Sequence, residues 1–474
     1  MASSEPLDMA PAEDQGPATP AGSEHPSGSG HPSGSGHPSG SRHPSLQSLS
    51  HLAEKCPRCS LCKFPPLSAV ESQRFSSICP SIDFYGFHSH SGGGRVLMAN
   101  SLLAGRAEIT PEARDTIFSC TMCGGCDTSC KYISDIEVSE IMEGLRASSF
   151  DAVGPLAAHA EILQNLERNG HPYAAGSKGD WLLDAPGVRV GHSERILLVG
   201  SAYALMPERR RTLLALIELL DAAGVAFSVL GSEEPDCGTA ALHIGDRARF
   251  DRLAGDAIDA LNRGGAREIV CADAEDYATI RSHFPRVGEL RPVVRHAVEL
   301  LDQEVAHGRL KLRFPVEHRV AYHDPCSLGR RSEPHRPWTG QERRNEDQLL
   351  VYDPPRPVNR GDGGCYDPPR RLLAAIPGLQ LIELQRRREY SYCCGASGGV
   401  PEAFPEMAQN AAHERLAEAS STDAELLATA CPRCEAHLGT IAGESEDERL
   451  QVAGIYDLLA RALRGPSKEG ESGV

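Results

Sequence analysis

The 474-residue chain predicts an α+β protein of several domains: a cysteine-rich helical module followed by two α/β lobes. Three observations lead there. Of sixteen cysteines, fourteen fall into two groups, 56–130 and 326–434. The first group lies among short helix signals in residues 51–150. From residue 193 the pattern changes to short apolar runs alternating with helices, twice over, as parallel βαβ units require.

Taken in order, residues 1–50 are of low complexity. HPSGSG recurs from His25 and decays into HPSGSR and HPS. Pro, Gly and Ser at that density cannot bury a core, so a flexible His/Pro/Ser/Gly-rich tail is expected, with metal binding by its histidines as the alternative. In 51–150, TPEARDTIF predicts a helix capped by Thr110 with Pro111 in its first turn, leading to Cys120. IEVSEIMEGLRA predicts a second helix after Cys130. Residues 151–192 read as connecting helix and loop. In 193–317, RILLVGS, VAFSVL and EIVCAD read as buried strands, the first two flanking the helix PERRRTLLALIELLDAAG. In 318–465, HRVAYHD, LQLIEL and LLATAC repeat the pattern. An insertion, 331–364, reads as an extended surface loop and holds an echo: VYDPPR at 351 recurs as CYDPPR at 365. Residues 466–474 read as a second flexible tail.

Composition narrows the function. A net charge of −17 argues against nucleic acid as a partner, which needs a basic stripe. The basic run Arg386, Arg387 and Arg388 is expected to be a solvated loop. No stretch approaches the roughly 20 apolar residues of a membrane helix, and MASSEPLDMA lacks the pattern of a secretory signal, so a cytoplasmic protein is expected. Without export, sixteen cysteines imply metal or redox chemistry more than disulfides.

Two constellations carry that chemistry. CPRCSLC supplies Cys56, Cys59 and Cys62, with Cys79 following, and CTMCGGCDTSC supplies Cys120, Cys123, Cys126 and Cys130. The second is C-x2-C-x2-C-x3-C, the bacterial ferredoxin spacing, in which the fourth cysteine serves the other 4Fe–4S cluster. The expected sets are therefore Cys56, Cys59, Cys62 and Cys130 for one cluster, and Cys120, Cys123, Cys126 and Cys79 for the other. Sixteen residues separate Cys62 from Cys79 where three are usual, and Lys131 stands where proline is usual. Zinc is the rival metal, although its C-x2-C motifs come as separated pairs and not triplets. In the last lobe, Cys326, the adjacent Cys393 and Cys394, Cys431 and Cys434 are five thiols, one more than a cubane or a zinc site needs. A fifth thiolate is useful where one sulfur bridges two irons.

The stretch YHDPC…LGR…YDPPRRLLAAIPGLQLIEL…CCGASGG…TACPRC resembles the CCG domain of heterodisulfide reductase catalytic subunits, a family that includes iron–sulfur subunits of glycolate, lactate and glycerol-3-phosphate oxidoreductases. With the ferredoxin-like cysteines the resemblance covers about residues 51–465 and is closest to the form with a 2[4Fe–4S] ferredoxin module and two CCG lobes. It implies two ferredoxin-type clusters and one CCG-bound 4Fe–4S cluster of noncubane type, held by Cys326, Cys393, Cys394, Cys431 and Cys434. Cys365 is a competitor for Cys326. By the same resemblance the first lobe, 193–317, is a worn copy: Ser201 replaces the leading cysteine, DCG at 236–238 replaces CCG, and CADA keeps Cys271 but has Ala274 for the second thiol. Cys237 and Cys271 are then expected to be ordinary buried residues.

The function expected is an iron–sulfur electron-transfer subunit of an oxidoreductase complex. Its partner would be a flavoprotein or other redox subunit, or a quinone-linked membrane subunit that keeps it peripheral at the inner face. VGSAYALMPE lacks the glycines of a dinucleotide site, so the organic cofactor is expected on the partner. Two alternatives stand beside this reading. One is a heterodisulfide-reductase-like enzyme cleaving a disulfide or thioester-linked substrate, with Cys393, Cys394 and His323 at the reacting centre. The other is a zinc-stapled scaffold. His323 and Asp324 are expected either to move a proton or to shape the loop before Cys326. The glycines of GASGG are expected to let backbone approach the cluster.

Overall fold

The computed structural model describes residues 43–182, 185, 187–333, 338–346, 349–355, 357, 360–444 and 449–465. Most of the expected N-terminal tail, and all of 466–474, lie outside them. The tail boundary at 50 is corrected: Leu46, Leu49 and Leu52 recur at helical spacing and are buried in the core of the first module. His43 reaches further, its ring 5.2 Å from that of Phe250.

That module is helical. Helices Gly92–Leu103, Pro111–Phe118, Gly125–Ser134 and Val138–Val153 bury Val96, Ile117, Phe118, Ile141 and Leu145 against the leucines of the entering segment. Thr110 caps the second helix, its hydroxyl accepting from the Ala113 N–H at 3.3 Å, with Pro111 in the first turn. The helix Gly125–Ser134 is not legible in the sequence. Gly124, at φ +70°, turns the chain into it, and it carries Cys126 and Cys130 one turn apart. Helix Ala157–Asn169 then leads to the sheets.

Both sheets are parallel. The first contains β1 (Arg195–Leu198), β2 (Glu268–Cys271) and β3 (Val293–His296) in the order β1-β2-β3. VAFSVL joins it only through a bridge from Ser228 to Ile196, on the free side of β1. The second sheet contains β4 (Arg319–His323), and after it come β5 (Gln341–Arg344) and β6 (Leu350–Asp353), a separate antiparallel ribbon. With β7 (Gln380–Ile382), β8 (Leu426–Thr429) and β9 (Gln451–Gly454) its order is β7-β4-β8-β9. Taking the Ser228 segment as the counterpart of β7, the two sheets follow one order. A single apolar core runs through both. β3 and β9 are further strands not expected from sequence; each is short and only part-buried, so its apolar run is weak.

The insertion is not the plain surface loop expected, because Arg330, at its edge, and Ser332 are buried and 341–344 pairs with 350–353 as the ribbon. Its echo is instructive. The Tyr-Asp at 352–353 ends a strand, whereas the Asp-Pro-Pro at 367–369 opens helix Asp367–Ala374. Proline in a first helical turn loses no hydrogen bond, so context decides between the two.

Candidate metal centres

Parallel order brings the strand ends to one edge. His323, Thr429 and Gly454 are the last residues of adjacent strands. Cys326 follows β4 by three residues, and Cys431 follows β8 by two, at the N-cap of helix Pro432–Gly443. Loops at this edge are where open α/β sheets hold ligands.

All five thiols of the set are buried. Cys326 packs with Cys393, Cys393 is hydrogen-bonded to Cys394, and Cys394 Sγ lies 3.2 Å from Cys434 Sγ. Cys431 is bonded in turn to Cys434. The 3.2 Å contact is far longer than a disulfide, and all sixteen cysteines are free. Sulfur contacts with Cys123, Cys326 and Cys394 push the Cys393 thiol up, while those with Cys393 and Cys434 draw Cys394 down. Cys365 packs apart from this chain, where burial pushes its thiol up, near Tyr277, Tyr322 and Tyr456.

His323 and Asp324 take different parts. Arg415 Nε donates to His323 Nδ1 at 3.0 Å. Arginine has no lone pair to offer, so Nδ1 is the acceptor and Nε2 carries the proton. Nε2 is buried without a geometric hydrogen-bond partner among the described residues, on the side of Cys394, whose sulfur acts on the ring. Ligand atoms of His323, Cys394 and Cys434 lie within 4.8 Å of one another, yet the protonated Nε2 has no lone pair to offer a metal and turns an N–H toward the sulfurs. Asp324 shapes the loop: it accepts from both ends of the Arg370 guanidinium at 2.6 and 2.8 Å and from the Arg388 N–H at 2.7 Å.

In the helical module, Cys79, Cys120, Cys123 and Cys126 line one enclosed cavity. Gly92 forms part of its wall, where a Cβ would come within 2.8 Å of Cys126 Cβ. Burial pushes Cys79 up to about 12 and Cys126 well above the ordinary thiol value. Cys62 and Cys130 meet at a second place. The hydrogen bond from Cys130 brings Cys62 down to about 6, helped by the Gly93 N–H at 3.1 Å. On the same loop Cys56 is half-buried and Cys59 exposed. Donor sets made of sulfur, converging on a thiol-walled cavity or in sulfur-to-sulfur contact, fit soft iron clusters. Bound iron would supply the positive charge that these dry thiolates otherwise lack.

The family models match at these places. A 4Fe-4S dicluster domain covers residues 52–133, and a cysteine-rich domain, CCG, covers 358–439. The chain pairs a 4Fe–4S dicluster domain with a CCG domain. It carries two ferredoxin-type 4Fe–4S clusters and a CCG-bound one. It is 28% identical over 422 residues to a subunit of the dihydromethanophenazine:CoB–CoM heterodisulfide reductase of Methanosarcina mazei, covering 86% of this chain and 94% of that protein. It is 27% identical to the "Probable iron-sulfur-binding oxidoreductase FadF" of Bacillus subtilis, over 75% of this chain and 48% of that one. It is 28% identical to the EtfAB:quinone oxidoreductase of Syntrophomonas wolfei, over 74% of this chain and 47% of that one. The chain thus spans about half the length of the last two.

The two domains meet through groups that sequence motifs do not single out. Arg330, within the LGR of the CCG resemblance, donates to the Cys123 carbonyl at 2.6 Å and to the Ser391 carbonyl at 2.6 Å. Arg146 donates to the Cys120 and Gly398 carbonyls. The GASGG glycines serve this junction: a Cβ on Gly398 would strike the Cys120–Thr121 backbone, and one on Gly399 the His159 ring. Cys123 itself is hydrogen-bonded to Cys393. The solvated loop expected at Arg386–Arg388 is corrected at Arg386, while the side chains of Arg387 and Arg388 are exposed as expected. Arg386 is buried between Phe75 and Tyr392 and paired with Glu414 and Glu418.

In the first sheet, four of the five equivalent places hold oxygen, and Cys237 keeps the thiol at the place of Cys394. Ser201 follows β1 by three residues, as Cys326 follows β4, and donates to Asp236 at 3.0 Å. Asp273 caps the helix after β2 as Cys431 caps the helix after β8. Counting from those caps, Asp276 stands where Cys434 does, so the expectation that Cys271 and Ala274 mark the thiol positions is corrected by two residues. Lys178 comes in from the preceding connection, its Nζ 3.9 Å from Asp236.

Proposed function

We propose that the chain is the electron-transfer subunit of an oxidoreductase complex, passing electrons between a partner protein and the CCG centre through the two ferredoxin-type centres. Cys56, Cys59, Cys62 and Cys130 would hold the first, Cys79, Cys120, Cys123 and Cys126 the second, and Cys326, Cys393, Cys394, Cys431 and Cys434 the third. The groups bound there supply one-electron transfer. The observation that carries the reading is the contact of Cys123 with Cys326 and Cys393, which joins the second and third thiol sets without intervening protein. Residues 193–317 are, on this reading, a CCG lobe that has lost its cluster and kept its sheet order. The relatives' names, with heterodisulfide in one and quinone in another, support a redox partner outside this chain. Among the described residues no helix is long and apolar enough to cross a membrane, which is compatible with a cytoplasmic subunit docked on a flavoprotein or quinone-linked partner.

The test is metal content and colour. Anaerobically purified protein should contain about twelve irons per chain and a broad visible absorption bleached by dithionite. A colourless protein with stoichiometric zinc would overturn the reading.

A second reading, disulfide cleavage at the CCG site, is favoured by His323. Reductive cleavage of a disulfide takes two electrons and two protons to give two thiols. His323 Nε2–H, fixed by Arg415, is a proton-bearing group on the sulfur set. Dithionite-dependent release of thiols from an added asymmetric disulfide, abolished by Cys394→Ser, separates this reading from simple relay.

A further inference from the structure

Buried arginines in this protein fall into two kinds. Arg386 and Arg415 share the Glu418 carboxylate, and Arg370 forks onto Asp324 and Glu383. Arg95, Arg146 and Arg330 are equally buried, yet among the described residues each is held by carbonyl or hydroxyl oxygens and by no carboxylate. A guanidinium out of water without a counter-charge is strongly unfavourable, so an anion must face it.

All three surround one thiol set. Arg95 lines the cavity of Cys79, Cys120, Cys123 and Cys126 and donates to the Ser119 carbonyl at 2.7 Å. Arg146 donates to the Cys120 carbonyl and Arg330 to the Cys123 carbonyl. Each also acts on a different thiol or pair of sets: Arg95 on Cys79, Arg146 on Cys120, and Arg330 on Cys123, Cys326 and Cys393 together. Arg330 Nη2 is buried without a hydrogen-bond partner among the described residues, beside Gly125 in the ligand loop.

We propose that Arg95, Arg146 and Arg330 form a fixed cationic cage that sets the reduction potential of the second ferredoxin-type centre above that of the first, and that Arg330 extends the effect to the CCG centre. This rests on the three-centre reading above. Reduction adds one electron to an already anionic group, and a buried positive charge that cannot move favours the reduced form, with little screening by salt. Near the first set Lys131 and Glu137 are a compensated pair, 3.8 Å apart, and the other cation acting on Cys62, Lys63, is part-exposed, where water and salt screen it. The cage therefore points downhill from the first centre to the second, toward the place where Arg330 touches both second and third sets. These are positioning and tuning residues; the electron itself moves between the bound groups.

The experiment is an EPR-monitored redox titration of the iron-loaded full chain and its Arg330→Gln, Arg146→Gln, Arg330→Lys and Arg146→Lys variants. In wild type, the second centre should titrate at the higher potential of the ferredoxin pair. Arg330→Gln should move the second and third centres to lower potential and leave the first in place. Arg146→Gln should move the second alone. The lysine variants, which keep the charge but lose the fork, should shift much less. If the glutamine variants lose iron and the lysine variants keep it at near wild-type potential, charge is again the determinant. Unmoved potentials in iron-replete glutamine variants, or equal loss of iron from glutamine and lysine variants, would overturn the cage. A wild type without iron would overturn the cluster reading instead.

Discussion

Gly398→Ala tests how tightly the CCG loop is pressed on the dicluster domain. Gly398 sits at φ +75°, and an alanine Cβ would lie 2.8 Å from the Cys120 carbonyl oxygen and 2.9 Å from that of Thr121. The left-handed backbone alone costs a non-glycine residue about 1–2 kcal/mol. Ordinary contact begins at 3.4 Å, so the two loops must part by several tenths of an ångström. They cannot part freely, because Arg146 holds the Cys120 and Gly398 carbonyls together. Overpacking of this kind adds about 1–3 kcal/mol, for a total of roughly 2–5 kcal/mol. Gly86 provides the control: its φ is +73° and a Cβ there meets nothing within 4 Å. Gly86→Ala should therefore show the backbone cost alone. Thermal unfolding of iron-loaded protein under anaerobic conditions, followed by circular dichroism and visible absorption, compares the two. Gly398→Ala should melt several degrees below Gly86→Ala and lose colour first. Equal melting of the two variants would refute the close approach.

Other outcomes follow from the same geometry. Cys394→Ser should remove or convert the third centre while leaving the ferredoxin-type EPR signals, whereas Cys365→Ser should leave all three, since Cys365 packs among tyrosines; iron content and EPR read both. His323→Leu should lower the potential of the third centre by about the worth of one N–H to sulfur bond, ~1 kcal/mol or roughly 40 mV, and His323→Gln should recover part of it; a titration with no shift in the leucine variant would remove the donor role. Lys178→Met leaves the buried Asp236 without its cation and should destabilise by about 3–5 kcal/mol, against less than about 1 kcal/mol if Lys178 is only a surface-type ion pair; denaturant titration distinguishes them. Burial holds His43 and His159 down to about 4 and His296 to about 3. Unfolded histidines take protons near pH 6.5 and these folded ones do not, so stability should fall as pH drops from about 6.5 toward 4. His159→Gln should flatten that slope between pH 5.5 and 4.5 by nearly one proton, and an unchanged slope would count against the assignment.

Local chemistry explains what could be read in advance. Thr110 before Pro111 announces a helix start whatever surrounds it, and HRVAYHD and LLATAC carry apolar runs long enough to be buried strands. The cysteine spacings likewise report ligand sets, because a cluster constrains neighbours in sequence. Partners distant in sequence leave no such mark. Arg146 and Arg330 look like any basic residue on a helix or loop until folding brings them to carbonyls 26 and 207 positions away. Arg386 stands in a basic run that reads as solvated, but acidic and aromatic neighbours from other segments bury it.

On the proposed reading, the first sheet belongs to a cluster site whose thiols have mostly gone. Along the sequence, Cys271 and Ala274 suggest themselves as the ligand positions, because Cys271 is the one thiol left near the end of β2. The strand ends decide differently: Asp273 takes the cap that Cys431 takes in the second sheet, and Asp276 follows as Cys434 does. Ser201, Asp236, Asp273 and Asp276 are oxygen groups at a sheet edge built like the one that gathers sulfur. Burial, with the Glu275 charge beside it, pushes the Asp273 carboxyl up to about 7, so such a group needs a positive neighbour. Lys178, drawn in from the connection before β1, supplies one with Asp236 3.9 Å away. On the proposed reading of residues 193–317 as a CCG lobe without its cluster, one ammonium and hard oxygen groups, with Cys237, would stand where the second sheet gathers thiols. Restoring a thiol at Asp236 alone would leave three oxygen positions and the lysine in place.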